Sequence, residues 1–90
     1  MTQTVDPRVG DGSVRATIRA YILARTGENG LGDDDDFFEL GVANSLFAME
    51  LITFVEREFG LTVEVEDLRL DNFRSISACT SFVALRGRRP

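Results

Sequence analysis

Few residues in this chain have both the type and the setting to do chemistry, and the most telling of them is Ser45. It stands in Gly41-Val42-Ala43-Asn44-Ser45-Leu46-Phe47-Ala48-Met49-Glu50-Leu51, where a loop of small residues delivers one hydroxyl to the start of a long amphipathic segment. A serine attacks a substrate only when a base removes its proton, and the usual base is histidine. The chain has no histidine, so a serine triad is excluded. Two roles remain for Ser45: a hydroxyl on which another protein acts, or a helix cap, which is what most serines at helix starts are.

The other candidates are weaker. The run Asp33-Asp34-Asp35-Asp36 offers ligands to a cation, since calcium loops alternate acidic ligands and then place a glycine and a distal glutamate. The spacing fails, because Phe37 and Phe38 occupy positions where ligands or the glycine are needed. The run therefore reads as a solvated acidic loop, and no metal is expected. Cys79, the single cysteine, leaves no internal disulfide and, without histidine, no zinc site; it fits a small buried apolar residue in a reducing cytoplasm. No paired carboxylates mark a pocket for acid–base catalysis, and no residue is assigned a catalytic role.

The elements that must position Ser45 are read from periodicity. Residues 1–12, with Pro7, Gly10 and Gly12, form a loose lead-in. From Ser13 a first amphipathic helix carries Val14, Ile18, Tyr21 and Ile22 on one stripe, with Arg15, Arg19 and Arg25 off it. Asp11 or Ser13 can cap its start, and Gly27 suits the left-handed residue that ends it. Residues 26–43 make a connection long enough to need internal order, and at least one of Phe37, Phe38 and Leu40 is expected to fold into the core.

Ser45 to Phe59 is the strongest helical segment, with Leu51, Val55 and Phe59 four residues apart, Asn44 or Ser45 as cap and Gly60 as stop. Leu61 and Val63 lead on in an extended stretch toward the core. Residues 64–70 read as a short helix or a turn with Val65 and Leu68 as apolar contacts. Asp71-Asn72-Phe73 reads as a connector with a buried ring. Ser75 caps a last helix with Ile76, Cys79, Phe82 and Val83 on one face. The domain proper spans residues 13–85, and residues 86–90 form a flexible tail. The expected fold is a small all-α bundle of three main helices and one short one, with a long first loop.

Ninety residues, 43% of them hydrophobic, suffice for one core. The net charge of −5 disfavours nucleic acid and anionic membranes as partners. No signal peptide or membrane span is present, so the protein reads as soluble, cytoplasmic and monomeric. The charge is also uneven: residues 33–71 hold twelve acids against two arginines, a net −10, which leaves +5 for the remainder. Such a field steers basic partner surfaces toward Ser45, although a solvated acidic face is the commoner meaning of this composition. Leu46, Met49 and Thr53 lie on a second stripe of the same helix, offset from the Leu51 stripe. Met49 suits either an adaptable contact surface or the core.

Phe37-Phe38-Glu39-Leu40-Gly41, then Asn44-Ser45-Leu46, then Met49-Glu50-Leu51 and Phe54-Val55-Glu56 resemble the acyl carrier proteins, from about Asp33 to about Phe82. That resemblance implies a four-helix bundle of acyl-carrier type. It implies that Ser45 carries a covalent 4'-phosphopantetheine arm, donated from coenzyme A by a phosphopantetheinyl transferase, whose terminal thiol holds acyl groups as thioesters. It also implies that Leu46 and Met49, with Thr53 on their stripe, face partner enzymes, and that Glu50 and Glu56 meet basic partner residues. The protein is then a carrier and not an enzyme, and its serine needs no histidine because the transferase activates it. A phosphodiester is favourably placed at a helix N-terminus, where free N–H groups and the positive end of the dipole meet it.

Two positions depart from the family. Asn44 stands where aspartate is usual, keeping a capping oxygen but dropping a charge. Arg57 stands where another acid is common, which narrows the set of partners. The wording from Ser45 to Glu56, with Leu70-Asp71-Asn72-Phe73-Arg74-Ser75-Ile76, is similar to freestanding carriers of three-carbon, glycerate-derived units (glyceryl, hydroxymalonyl, methoxymalonyl) for polyketide and antibiotic biosynthesis. Its partners would be the transferase, acyl-loading and modifying enzymes, and a polyketide synthase acyltransferase. The alternatives are an aminoacyl or peptidyl carrier, such as a D-alanyl carrier, and a helical interaction module in which Ser45 is only a cap.

Overall fold

The computed structural model describes residues 10–87, with side chains from 12 to 86. Four helices follow in order: α1 (Gly10–Thr26), α2 (Ser45–Phe59), α3 (Leu70–Phe73) and α4 (Ile76–Gly87), with a 3-10 turn at Val65–Asp67 between α2 and α3. This is the expected all-α bundle, and the described residues contain no strand, including at Leu61 to Val65. Most of the proposed lead-in (residues 1–12) and of the tail (86–90) lies outside the described residues.

The apolar stripe of α1 does what its spacing requires: Ile18 and Ile22 are fully buried, with Val14 and Tyr21 packed at the core edge. The helix begins earlier than Ser13, at Gly10, so Asp11 and Ser13 lie inside it instead of capping it. Once the turn around Val14 is anchored, residues ahead of it can add helical bonds without further burial. Gly27 closes the helix as expected, its N–H donating to the Leu23 carbonyl at 2.8 Å. From there α1 packs mainly on α4.

The connection from α1 to α2 is stitched down at several points. Phe37 is fully buried, its ring edge-on to Phe47 with centroids 6.0 Å apart, and its N–H donates to the Arg74 carbonyl at 2.8 Å. Leu31, which periodicity does not single out, is buried too, whereas Leu40 is 57% exposed. The acidic run is not the solvated loop that composition favours. Asp33 accepts from Arg19 and, at 3.0 Å, from Arg15, both on α1. Asp35 accepts the Gly32 N–H at 2.7 Å. Asp36 accepts the N–H groups of Phe38 and Glu39 and lies 3.2 Å from Arg74. Three of the four carboxylates thus act as struts, because a loop this long leaves backbone donors that need acceptors. No cluster of three or more potential metal ligands occurs among the described residues.

Past α2, Leu61 and Val63 pack against the core. The 3-10 turn corrects a second expectation: Val65 is 80% exposed and Leu68 53%, so neither makes the apolar contact assigned to it. Polar bonds hold this turn instead. Asp67 accepts the Glu64 N–H at 3.0 Å and pairs with Arg86 at 2.9 Å, and Arg86 also donates to the Thr62 carbonyl. The connector 71–73 lies within the one-turn helix α3, with Phe73 buried against Phe82, centroids 5.1 Å apart. In α4, Ser75 caps the start, accepting the Ala78 N–H at 3.0 Å, and Ile76, Cys79, Phe82 and Val83 face the core. Cys79 is fully enclosed, and that burial pushes its thiol up to about 12, so it stays a neutral space-filling group.

Candidate functional site

Ser45 is the first residue of α2 and is exposed. The approach to it depends on Gly41, whose φ of 77° lies in the left-handed region where a side chain is strained. Its N–H and that of Val42 return to the Phe38 and Phe37 carbonyls at 3.2 and 3.0 Å, which anchors the loop to the buried ring. The chain then enters Asn44 in an extended conformation (φ −137°, ψ −171°), and the helix starts.

The choice between the two candidate caps is resolved in favour of Asn44, whose Oδ1 accepts the Phe47 N–H at 2.9 Å. Its carbonyl accepts the Ala48 N–H at 2.9 Å. The side-chain bond satisfies one of the four amides that a helix start leaves open, and the carbonyl bond is the first of the helix itself. Among the described residues, the N–H groups of Ser45 and Leu46 have no acceptor within the chain. The Ser45 hydroxyl is therefore free of the capping task and stands beside two open amides at the positive end of the helix dipole. These features suit a phosphate ester on that oxygen.

The core face of α2 takes Phe47, Leu51 and Val55, with Gly60 at φ 64° as the left-handed stop. Because these three fill the inner face, the offset stripe is left outside: Leu46 is 66% exposed and Met49 63%, and Thr53 is exposed as well. This settles Met49 as surface and not core. The two glutamates differ from the simple acidic-face reading. Glu50 is tied to Arg25 of α1 by an ion pair. Glu56 is half-buried, and its Oε2 accepts the Val63 N–H at 2.8 Å, tying the end of α2 to the returning chain. Periodicity places Arg25 merely off the α1 stripe, and only its position in the last turn of that helix marks it in the sequence. The structure brings Asn44, Ser45, Leu46, Met49, Glu50 and Thr53 to one end and one side of α2, and turns Glu56 to a structural task.

The structure is thus a small helical bundle with an Asn44-capped helix start and an exposed serine hydroxyl beside it. The family model described as the phosphopantetheine attachment site matches residues 16–82, and the chain belongs to that family. Its cofactor is 4'-phosphopantetheine, held covalently. No curated protein matches the chain. No helix among the described residues is long and apolar enough to cross a membrane.

Proposed function

We propose that Ser45 is the attachment residue and that the protein is a cytoplasmic acyl carrier for polyketide biosynthesis, its arm holding a three-carbon, glycerate-derived unit. The observation that carries the attachment reading is the division of labour at the start of α2. Asn44 caps the helix, so the adjacent serine is exposed with its hydroxyl unspent. The other described serines lack that setting: Ser75 is a buried cap, Ser77 accepts from Arg15, and Ser13 and Ser81 lie within helices. The cargo reading rests on the resemblance of residues 45–56 and 70–76 to carriers of such units.

When bound, the arm supplies a terminal thiol that forms thioesters. The chain's own part is to present the Ser45 oxygen and to place the first-turn amides beside the phosphate ester. The base that takes the Ser45 proton must come from the phosphopantetheinyl transferase, since the chain has no histidine. Leu46, Met49 and Thr53 form the face that docks the transferase, the loading and modifying enzymes and the polyketide synthase acyltransferase, with Asn44 and Glu50 at its edges. Glu56, bonded to Val63 N–H, contributes least of the residues assigned to that face.

Incubation with coenzyme A and a broad transferase should add one phosphopantetheine mass, and Ser45→Ala should abolish the addition. Addition elsewhere, or none with several transferases, sinks the proposal. The mass of the protein from its native host, arm and cargo included, identifies the acyl unit and separates this reading from an aminoacyl carrier.

A further inference from the structure

The ridge that begins at Ser45 leads into a hollow. Ser45, Met49, Thr53 and Arg57 are four residues apart, so they form one row on α2, about 6 Å between neighbours and about 18 Å from first to last. Met49, Thr53 and Arg57 line an open trough of about 600 Å3 between α1 and α2, together with Tyr21 and Phe54, whose rings stack with centroids 4.0 Å apart. A smaller recess of about 250 Å3, lined by Val42, Asn44 and Leu46, adjoins it, and Arg25 and Glu50 line both. The hollow surface thus runs from the loop before Ser45 to Arg57, spanned by the Arg25–Glu50 ion pair.

Charge marks the far end. Arg57 is one of two arginines among the fourteen charged residues of 33–71, and among the described residues it makes no ion pair. Glu50 is held by Arg25, and Glu58 lies on the side that the trough shares with a shallow groove over Ala16, Thr17 and Ala20. Arg69 is likewise without an ion pair among the described residues but lies beyond α2, so the unpaired cation of α2 itself is the one on the Ser45 ridge. A phosphopantetheine arm is a chain of about fifteen atoms, the length of about five extended residues or roughly 17 Å. Rooted at Ser45 and laid along the ridge, it ends beside Arg57.

We propose that this trough is a resting site for the chain's own loaded arm and that it favours acyl units ending in a carboxylate. Arg57 is the counter-ion, and Met49, Tyr21 and Phe54 give apolar cover to the pantetheine. The inference rests on Ser45 as the attachment residue. An exposed ion pair of this kind shifts residence by about twofold to fivefold, which shields a thioester without withholding it from partner enzymes.

The test uses a broad phosphopantetheinyl transferase to load the apo protein from malonyl-CoA and, separately, from acetoacetyl-CoA, which has a similar shape and a neutral end. The acyl-phosphopantetheine passes to Ser45 Oγ and 3',5'-ADP leaves. Intact mass reports loading, and failure to load overturns the attachment reading itself. In loaded protein, nuclear Overhauser contacts from arm protons to Met49, Thr53 and Tyr21 are expected for the malonyl form, with malonyl thioester hydrolysis about twofold to fivefold faster in Arg57→Gln. The contacts should weaken in the acetoacetyl form, in Arg57→Gln and at high salt. Contacts that are absent from the malonyl form, equal in the two forms, or unchanged in Arg57→Gln overturn the inference. A variant that only slows modification by the transferase, with arm contacts intact, places Arg57 in a partner interface and overturns it too.

Discussion

At the start of α4, Ser75 is buried and its hydroxyl accepts the Ala78 N–H at 3.0 Å; at the start of α2, Asn44 takes that task at 2.9 Å from Phe47 N, and the next residue, Ser45, is exposed. Both helix starts have open amides that need an acceptor. In one the serine is consumed by the fold, and in the other a neighbouring amide relieves it. A serine at a helix start thus becomes available for modification only when a second residue supplies the cap.

The largest expected effect sets these two serines against each other. Ser45→Ala should lose all phosphopantetheine addition while changing stability by no more than about 0.5 kcal/mol, as an exposed position without an internal partner. Ser75→Ala should do the reverse, costing about 1 to 2 kcal/mol through the lost cap in a buried setting while leaving modification intact. Urea unfolding and intact mass of both variants check this. Equal loss of modification in folded Ser75→Ala protein breaks the contrast.

A smaller effect falls on Asn44. Replacing it with alanine removes the Oδ1 acceptor and should cost about 0.5 to 1 kcal/mol. Asn44→Asp keeps an acceptor and places a charge at the positive end of the dipole, so it should recover the loss and add roughly 0.3 to 1 kcal/mol at low salt. If Asn44→Ala unfolds at the same urea concentration as the parent, Ser45 has taken over the cap, and the two helix starts are alike after all.

The same division explains what could be read before any coordinates. The bounds of α2, its stop at Gly60, a cap narrowed to Asn44 or Ser45, and the buried face of α4 are legible because each rests on local spacing within one helix. The exposure of Met49 is not, since it depends on which of two adjacent stripes the rest of the bundle covers. Glu56 sits at a polar position of the helix period, yet its acceptor role appears only when the chain returns seven residues later at Val63. Val65 and Leu68 mislead because three residues of 3-10 turn set no lasting face, and polar bonds to Arg86 fix its orientation. Asp33 to Asp36 mislead for a related reason, since composition registers their charge but not the arginines of α1 and Arg74 that come to meet them.

The smallest effect concerns that loop, which holds Phe37 and Gly41 behind Ser45. The bonded Arg19 guanidinium, with Arg15 as a second donor, holds the Asp33 carboxyl below its ordinary 3.8, while partial burial acts in the other direction. A carboxylate with a lowered folded-state pKa contributes stability that is fully present above its unfolded value. That contribution falls away as the pH drops through the folded value. Asp33→Asn should therefore melt lower than the parent at pH 7, and the gap between them should narrow once the pH falls below 3.8. Thermal melts of both proteins across that range measure it. A gap that stays constant to the most acid point means that the Asp33 charge contributes nothing, and that the loop is held by its other bonds, such as Phe37 N–H to the Arg74 carbonyl and those to the Asp35 and Asp36 carboxylates.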